Sequence, residues 1–285
     1  MVATHQILPV MTTAARSVLY VYGIVPPLFE LGRAPDGVED AALRLVDGGT
    51  ASAIVSDLDA ERYSPAAVER ATEDVEWLAP RAVAHDRVLT WASDRGPVVP
   101  LPMFSFFSSD DAVRAMLDSR RGELTAALER AAQGREYTLR IYRVDEELAT
   151  VAVELSPRLA ELQRSADAAS PGQKYLLLRK LETERKDEVR TIAQRIAREV
   201  LASLSGLSLG VQEDRAPRRD GGSATELALV LDAAFLVAPN GFDAFQHELT
   251  NVVARHNGRG FRFDFTGPWP PYHFVQDIHR TAERE

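Results

Sequence analysis

The side chains able to do chemistry are few and scattered. The six histidines are His5, His85, His247, His256, His273 and His279, and none makes the His-Glu-x-x-His motif that turns two imidazoles to one helical face for a metal. His247-Glu248 reads as the polar face of a helix, and His85 has the apolar helical neighbours of a hydrogen-bonded structural histidine. Asp57 and Asp59 would offer a divalent cation two oxygen ligands, or would simply line a polar turn after a strand. Asp110-Asp111 suits the positive end of a helix. Arg218-Arg219 in a long loop would either grip an anion or stay solvated. No GxxxxGK[ST] loop occurs, Gly258-Arg259-Gly260 leads into a strand and not a helix, and no GxSxG elbow is found. The absence of cysteine removes thiolate nucleophiles, thiolate metal sites and disulfides. An enzyme built from this chain would have to bring an acid and a base together from distant segments, His85 and His273 being the pair on offer. No catalytic residue, cofactor site or metal ligand is assigned, and the expected protein is not an enzyme.

Composition narrows the field further. The chain has 285 residues, 45% of them hydrophobic and 26% charged, enough for one large or two ordinary domains. A net charge of −9 argues against a nucleic-acid surface. The start lacks a basic region ahead of a long apolar core, and no apolar run approaches the ~20 residues of a spanning helix. A soluble cytoplasmic protein without a membrane span is expected.

Positioning must come from an α+β framework. Residues 1–17 read as a flexible leader. Residues 18–144 read as an N-terminal α+β domain: a strand over 18–25, a hairpin turning at Asp47-Gly48-Gly49, and a helix from Ser64-Pro65 that Pro80 breaks or restarts. A helix from Asp110 to Gln133 follows, then an alternating strand over 137–144. Residues 145–206 read as a helical connector, restarted at Ser156-Pro157, whose long helix spans 171–205. That helix opens on Ser170-Pro171, stops at Gly206 and carries an apolar stripe from Leu178 through Leu181, Val189, Ile192, Ile196 and Val200 to Leu204. Residues 207–285 read as a C-terminal α+β domain of ferredoxin-like type with an extended tail. In it Leu227, Leu229, Leu231, Phe235 and Val237 share one strand face, and Phe261, Phe263 and Phe265 alternate along another strand.

Five stretches in one order carry a resemblance to a known family: Leu19-Tyr-Val-Tyr-Gly-Ile24, Ala84-His85 with Val88-Leu89, Ser170-Pro-Gly with Tyr175-Leu176, Ala233-Ala-Phe-Leu-Val237, and Thr266-Gly-Pro-Trp-Pro-Pro-Tyr272. With them the chain resembles the GvpF/GvpL family of gas vesicle proteins over nearly all of 18–275. One departure stands out. Where the family commonly reads PMRFGT, this chain has Pro100-Leu-Pro-Met-Phe-Ser105. The resemblance implies two modified ferredoxin-like units and a long helical, coiled-coil-like segment. It also implies an accessory or structural role in gas vesicle formation, with binding of the small hydrophobic shell protein GvpA and other Gvp proteins, and a gas-vesicle-associated location. Trp269, Pro270, Pro271, Tyr272 and Phe274 are the partner-binding candidates, because aromatics in a proline frame are rigid anchors. The same aromatics would equally plug the open end of a core. The alternative function is a ferredoxin-like regulatory or small-ligand module, with a pocket between the units lined by Arg140, Arg262 and Asp264.

Overall fold

A computed structural model describes residues 17–214 and 227–275. These divide into two compact units, 17–128 and 129–275.

In the first unit, β1 (Ser17–Val25) is a run of β-branched and aromatic residues buried from Leu19 onward. It is followed by a short 3-10 turn (Val38–Asp40), β2 (Arg44–Asp47) and β3 (Ser52–Asp59), the last two forming the expected hairpin. Then come α1 (Pro65–Ala71), α2 (Val75–Ser93), β4 (Val99–Pro100), β5 (Phe106–Phe107), α3 (Asp110–Ser119) and α4 (Arg121–Gln133). Strand order is β2-β3-β1-β4, with β5 also on β1, and every pairing is antiparallel.

Two helix boundaries differ from the sequence reading. The chain breaks at Thr72–Asp74 and not at Pro80, because the Asp74 carboxylate accepts the Glu76 N–H and caps a new helix. Pro80 then lies inside α2, where its missing donor would have served the carbonyl of exposed Glu76, which water can satisfy. The helix expected over 110–133 divides at Arg120, whose φ of −110° and ψ of 18° leave the helical region.

The second unit contains β6 (Arg135–Arg143), α5 (Asp145–Leu155), α6 (Pro157–Asp167) and α7 (Pro171–Ser205). After them come β7 (Gly210–Glu213), β8 (Ala228–Val237), α8 (Phe242–His256) and β9 (Phe261–Trp269). Its sheet is antiparallel, in the order β7-β8-β6-β9. The division expected at 144/145 is therefore displaced. β6 is no closing strand of the first unit; it is central in the second sheet, hydrogen-bonded to β8 on one side and β9 on the other.

The helices over 145–205 do not form a free connector either. Leu148 and Ala152 of α5, Leu159 of α6 and the α7 stripe from Leu181 to Leu204 are buried with Leu139, Ile141, Leu231, Phe235 and Phe261 in one core. A stripe of that periodicity has to be covered, and α5, α6 and the sheet face cover it. Ser156 Oγ accepts the Leu159 N–H at 3.3 Å and starts α6 as expected.

The lengths are mismatched. The 35 residues of α7 reach about 52 Å, while strands of nine or ten residues reach about 30–33 Å. The first turns of α7 accordingly run past the sheet, and its buried positions begin only at Leu181. Along β8 the core face holds from Leu231 onward. A register shift opposite Ile141/Tyr142 ends it, and Leu227 is exposed. The two-glycine turn before β9 is a packing device: Gly260 has φ +85°, and a Cβ there would lie 2.5 Å from the Leu148 backbone nitrogen.

Nearly all of the leader, the loop with Arg218-Arg219, Glu226 and the tail beyond Val275 lie outside the described residues.

Candidate functional site: the closing segment

The segment that ends the second unit is built on β9. Its Gly267–Pro268 peptide is cis, and Gly267 has φ +124°. A Cβ on Gly267 would stand 2.9 Å from the Glu136 carbonyl oxygen, so the strand exit hugs β6. Trp269 is half-buried, and its indole N–H donates to Thr266 Oγ1 at 3.2 Å. Pro270 and Pro271 are buried, and their carbonyls accept the N–H groups of Tyr272 (2.7 Å) and Phe274 (3.3 Å) in a tight turn. Tyr272 and Phe274 are half-buried. Phe274 packs against Gly210 of β7, where an added Cβ would meet its ring at 3.1 Å. The five candidate residues thus form one patch. The prolines are its internal frame, and Trp269, Tyr272 and Phe274 supply its accessible edges.

Two carboxylates fasten this segment. The Glu136 side chain, only 1% exposed, accepts the His273 backbone N–H at 2.9 Å and pairs with His273 Nδ1 at 2.6 Å. His273 Nε2 lies 3.3 Å from Asp214. The bond to Glu136 raises the His273 pKa above its ordinary value, against the opposing effect of burial. His273, the histidine on offer as a catalytic group, is therefore a fastener. The sequence reading missed Glu136 and Asp214, because a glutamate opening a strand reads as a solvated end.

His85 is used differently, inside the first unit. It is buried, its Nδ1 lies 2.9 Å from the Tyr20 hydroxyl, and its ring stacks on Tyr22. Burial depresses its pKa to about 4, so it is neutral at pH 7. The Tyr22 hydroxyl meets Ser56 Oγ at 2.9 Å and accepts the Val38 N–H at 2.7 Å. The two tyrosines of the opening motif and the histidine of the second thus form one buried polar cluster.

The residues proposed for a ligand pocket share the sheet face opposite to that of Leu139 and Ile141. Arg140 stands opposite Asp264 in register, and its guanidinium bonds Asp232 at 3.0 Å; Arg262 reaches Glu147 on α5 at 2.5 Å. Neither arginine lines the cavity of about 430 Å³ that opens in the first unit beside Glu39, Arg81 and Arg87. Asp57 and Asp110 both hold Arg44, at 2.8 Å each, which gives the two acids a structural partner. Among the described residues no group of three or more His, Asp or Glu side chains is arranged to hold a metal, and no helix is long and apolar enough to cross a membrane.

These observations define the class: a mixed α+β protein of two antiparallel sheets in which convergent polar groups tie the chain to itself and an aromatic segment closes the second sheet. Comparison then identifies the family. The profile for gas vesicle synthesis protein GvpL/GvpF matches residues 18–276, and the chain belongs to that family. It is similar to gas vesicle protein L of Streptomyces sp. (strain CB03234), with 27% identity over 273 residues covering 93% of this chain and 96% of that one. It is also similar to gas vesicle protein F2 of Halobacterium salinarum, with 26% identity covering 95% and 97%. The fold matches the crystal structure of GvpF from Anabaena sp. PCC7120 with a TM-score of 0.63 at 17% identity, covering 91% of this chain and 96% of that one. Membership ties the chain to gas vesicle formation and to no known class of enzyme.

The departure at Pro100–Ser105 is structurally informative. Within it Phe104 has φ 69°, the left-handed region that glycine enters freely. Its ring stacks on Trp77 at 5.6 Å, and Arg81 lies over the same indole at 4.1 Å. The same ring also meets Tyr20 and Phe106 in one aromatic cluster.

Proposed function

We propose that the protein is a non-enzymatic accessory factor of gas vesicle formation that binds the small hydrophobic shell protein of GvpA type, and other Gvp proteins, during nucleation or assembly. A shell subunit rich in apolar surface would aggregate before assembly, and an acidic partner masks it reversibly by mass action. The observation that carries the reading is the closing segment. Trp269, Tyr272 and Phe274 are held partly accessible on a buried proline frame, pre-organised by the Glu136–His273 clasp. Such anchors lose little freedom on binding. The same reading takes both units as modified ferredoxin-like sheets and the long helical segment over 145–206 as coiled-coil-like. In support, each sheet runs in the order second, third, first, fourth strand.

The test is a pull-down of purified GvpA-type shell protein by the full chain and by its Trp269→Ala/Tyr272→Ala variant. Capture by the wild type, lost in a variant that melts within a few degrees of it, supports the reading. Equal capture by both, or none by the folded wild type, sinks it. Cutting the chain at 144/145 would be the wrong control, since it removes β6 from its own sheet.

A further inference from the structure

We infer that the overhanging first turns of α7, residues 171–180, are a docking surface for an acidic amphipathic helix of a partner protein. This surface is separate from the closing segment, and the inference stands or falls independently of it. Three large apolar side chains point to solvent there: Tyr175 is 61% exposed, Leu176 67% and Leu178 38%. Spacings of three and four put Tyr175 beside Leu178 and Arg179, and Leu176 beside Arg179 and Lys180, and all five are exposed. α7 is longer than the strands of its sheet, its buried positions begin only at Leu181, and no residue of 171–180 belongs to the core of the second unit.

The charge pattern specifies the partner. From Pro171 to Leu181 the sequence carries Lys174, Arg179 and Lys180 and no acid. The rest of α7 mixes signs, with Glu182, Glu184, Asp187 and Glu188 among Arg185, Lys186 and Arg190. Lys174 touches Asp167 at 3.5 Å and Lys180 touches Glu184 at 3.7 Å, both long for ion pairs, while Arg179 has no ionic partner among the described residues. The first turn of α7 contains no acid, although the helix dipole favours acids there. Two local preferences are thus broken together: apolar groups are left in water, and the positive end of the helix has no acid in its first turn. An apolar ridge flanked by acids satisfies both, in the manner of helix-to-helix recognition. An anionic bilayer fits less well, because the patch is small and the chain as a whole carries −9. A second copy brings the same cations and the same net charge.

The test uses the full chain and a fluorescein-labelled designed peptide of about 18 residues, leucine along one helical face and glutamate on its flanks. A lysine-flanked version is the control. Fluorescence anisotropy should show binding of the glutamate peptide that weakens with salt. It should fall about tenfold or more in Leu176→Ser/Leu178→Ser, and preference should switch to the lysine peptide in Arg179→Glu/Lys180→Glu. All these positions are exposed, so melting should match wild type. Absence of binding, or equal binding by wild type and both variants, overturns the inference. So does binding to phosphatidylserine vesicles without peptide binding, or self-association abolished by the charge reversal.

Discussion

Replacing Glu136 with glutamine removes one charge and changes little in shape, at the point where the closing segment is pinned. Glu136 is buried and makes two bonds to His273, one to the backbone N–H and one to Nδ1. In Glu136→Gln the amide oxygen can still accept the backbone N–H, while the charge-assisted bond to the imidazole is lost. Such a bond contributes about 1.5–3 kcal/mol, and the partial exposure of His273, 24% at its side chain, argues for the lower part of that range. A loss of about 2 kcal/mol lowers Tm by roughly 4–8 °C for a domain of 150–250 residues. The pH dependence is the discriminating feature. The folded-state pKa of His273 is raised, so its ionic contribution is complete below the unfolded value near 6.5 and is lost as pH rises through the folded value. Thermal melts of wild type and Glu136→Gln should therefore differ most at pH 6 and converge towards pH 9. A difference independent of pH would refute the charge-assisted clasp and leave only a packing role for Glu136.

Two further predictions rest on the first unit. Phe104→Gly relieves a left-handed non-glycine backbone but loses the Trp77 stack, whereas Phe104→Ala loses the stack and keeps the strain. The alanine variant should be less stable than the glycine variant by about 1 kcal/mol in urea titrations, and the reverse order would remove the strain argument. His85 has a folded pKa near 4, below its unfolded value, so the unfolded state takes up the proton first and wild-type stability should fall as pH drops from about 6.5 to 4. His85→Phe should be destabilised at pH 7 by loss of the Tyr20 bond, yet its stability should be flatter across that acid window. Parallel curves for the two proteins would count against a buried neutral imidazole.

Most local signals in the sequence translated into structure, the helix boundaries at Pro80 and Arg120 excepted, and long-range pairings did not. The run over 18–25, the Asp47-Gly48-Gly49 turn and the Ser156-Pro157 restart each depend on neighbouring residues alone, and each appears in the structure. Which sheet β6 joins does not depend on its own residues. Tyr137, Leu139 and Ile141 supply an apolar face that any helical layer can cover, and the choice is made by β8 and β9 about a hundred residues later. The stripe of α7 likewise declares a buried face without naming what buries it. At the closing segment the aromatic and proline residues were legible as a motif, while their fastening to Glu136 was not, because a single glutamate carries no mark of burial. Phe104 was visible as a departure from the family pattern, but its φ of 69° belongs to the backbone alone.

The placement of β6 has a consequence for synthesis. Ribosomes emit the chain from its amino end, and all the strands of the first sheet have been made once Phe107 is out. The second sheet follows another timetable. Its central strand emerges at Arg135–Arg143, but both neighbours, β8 and β9, come on the order of a hundred residues afterwards. At ~5–20 residues per second, β6 waits at least several seconds with both edges open. The segments made during that interval are α5, α6, α7 and the short β7, and the apolar faces of the three helices are buried in one core with Leu139 and Ile141. Their order in the gene therefore supplies β6 with an apolar cover during translation, before either partner strand exists.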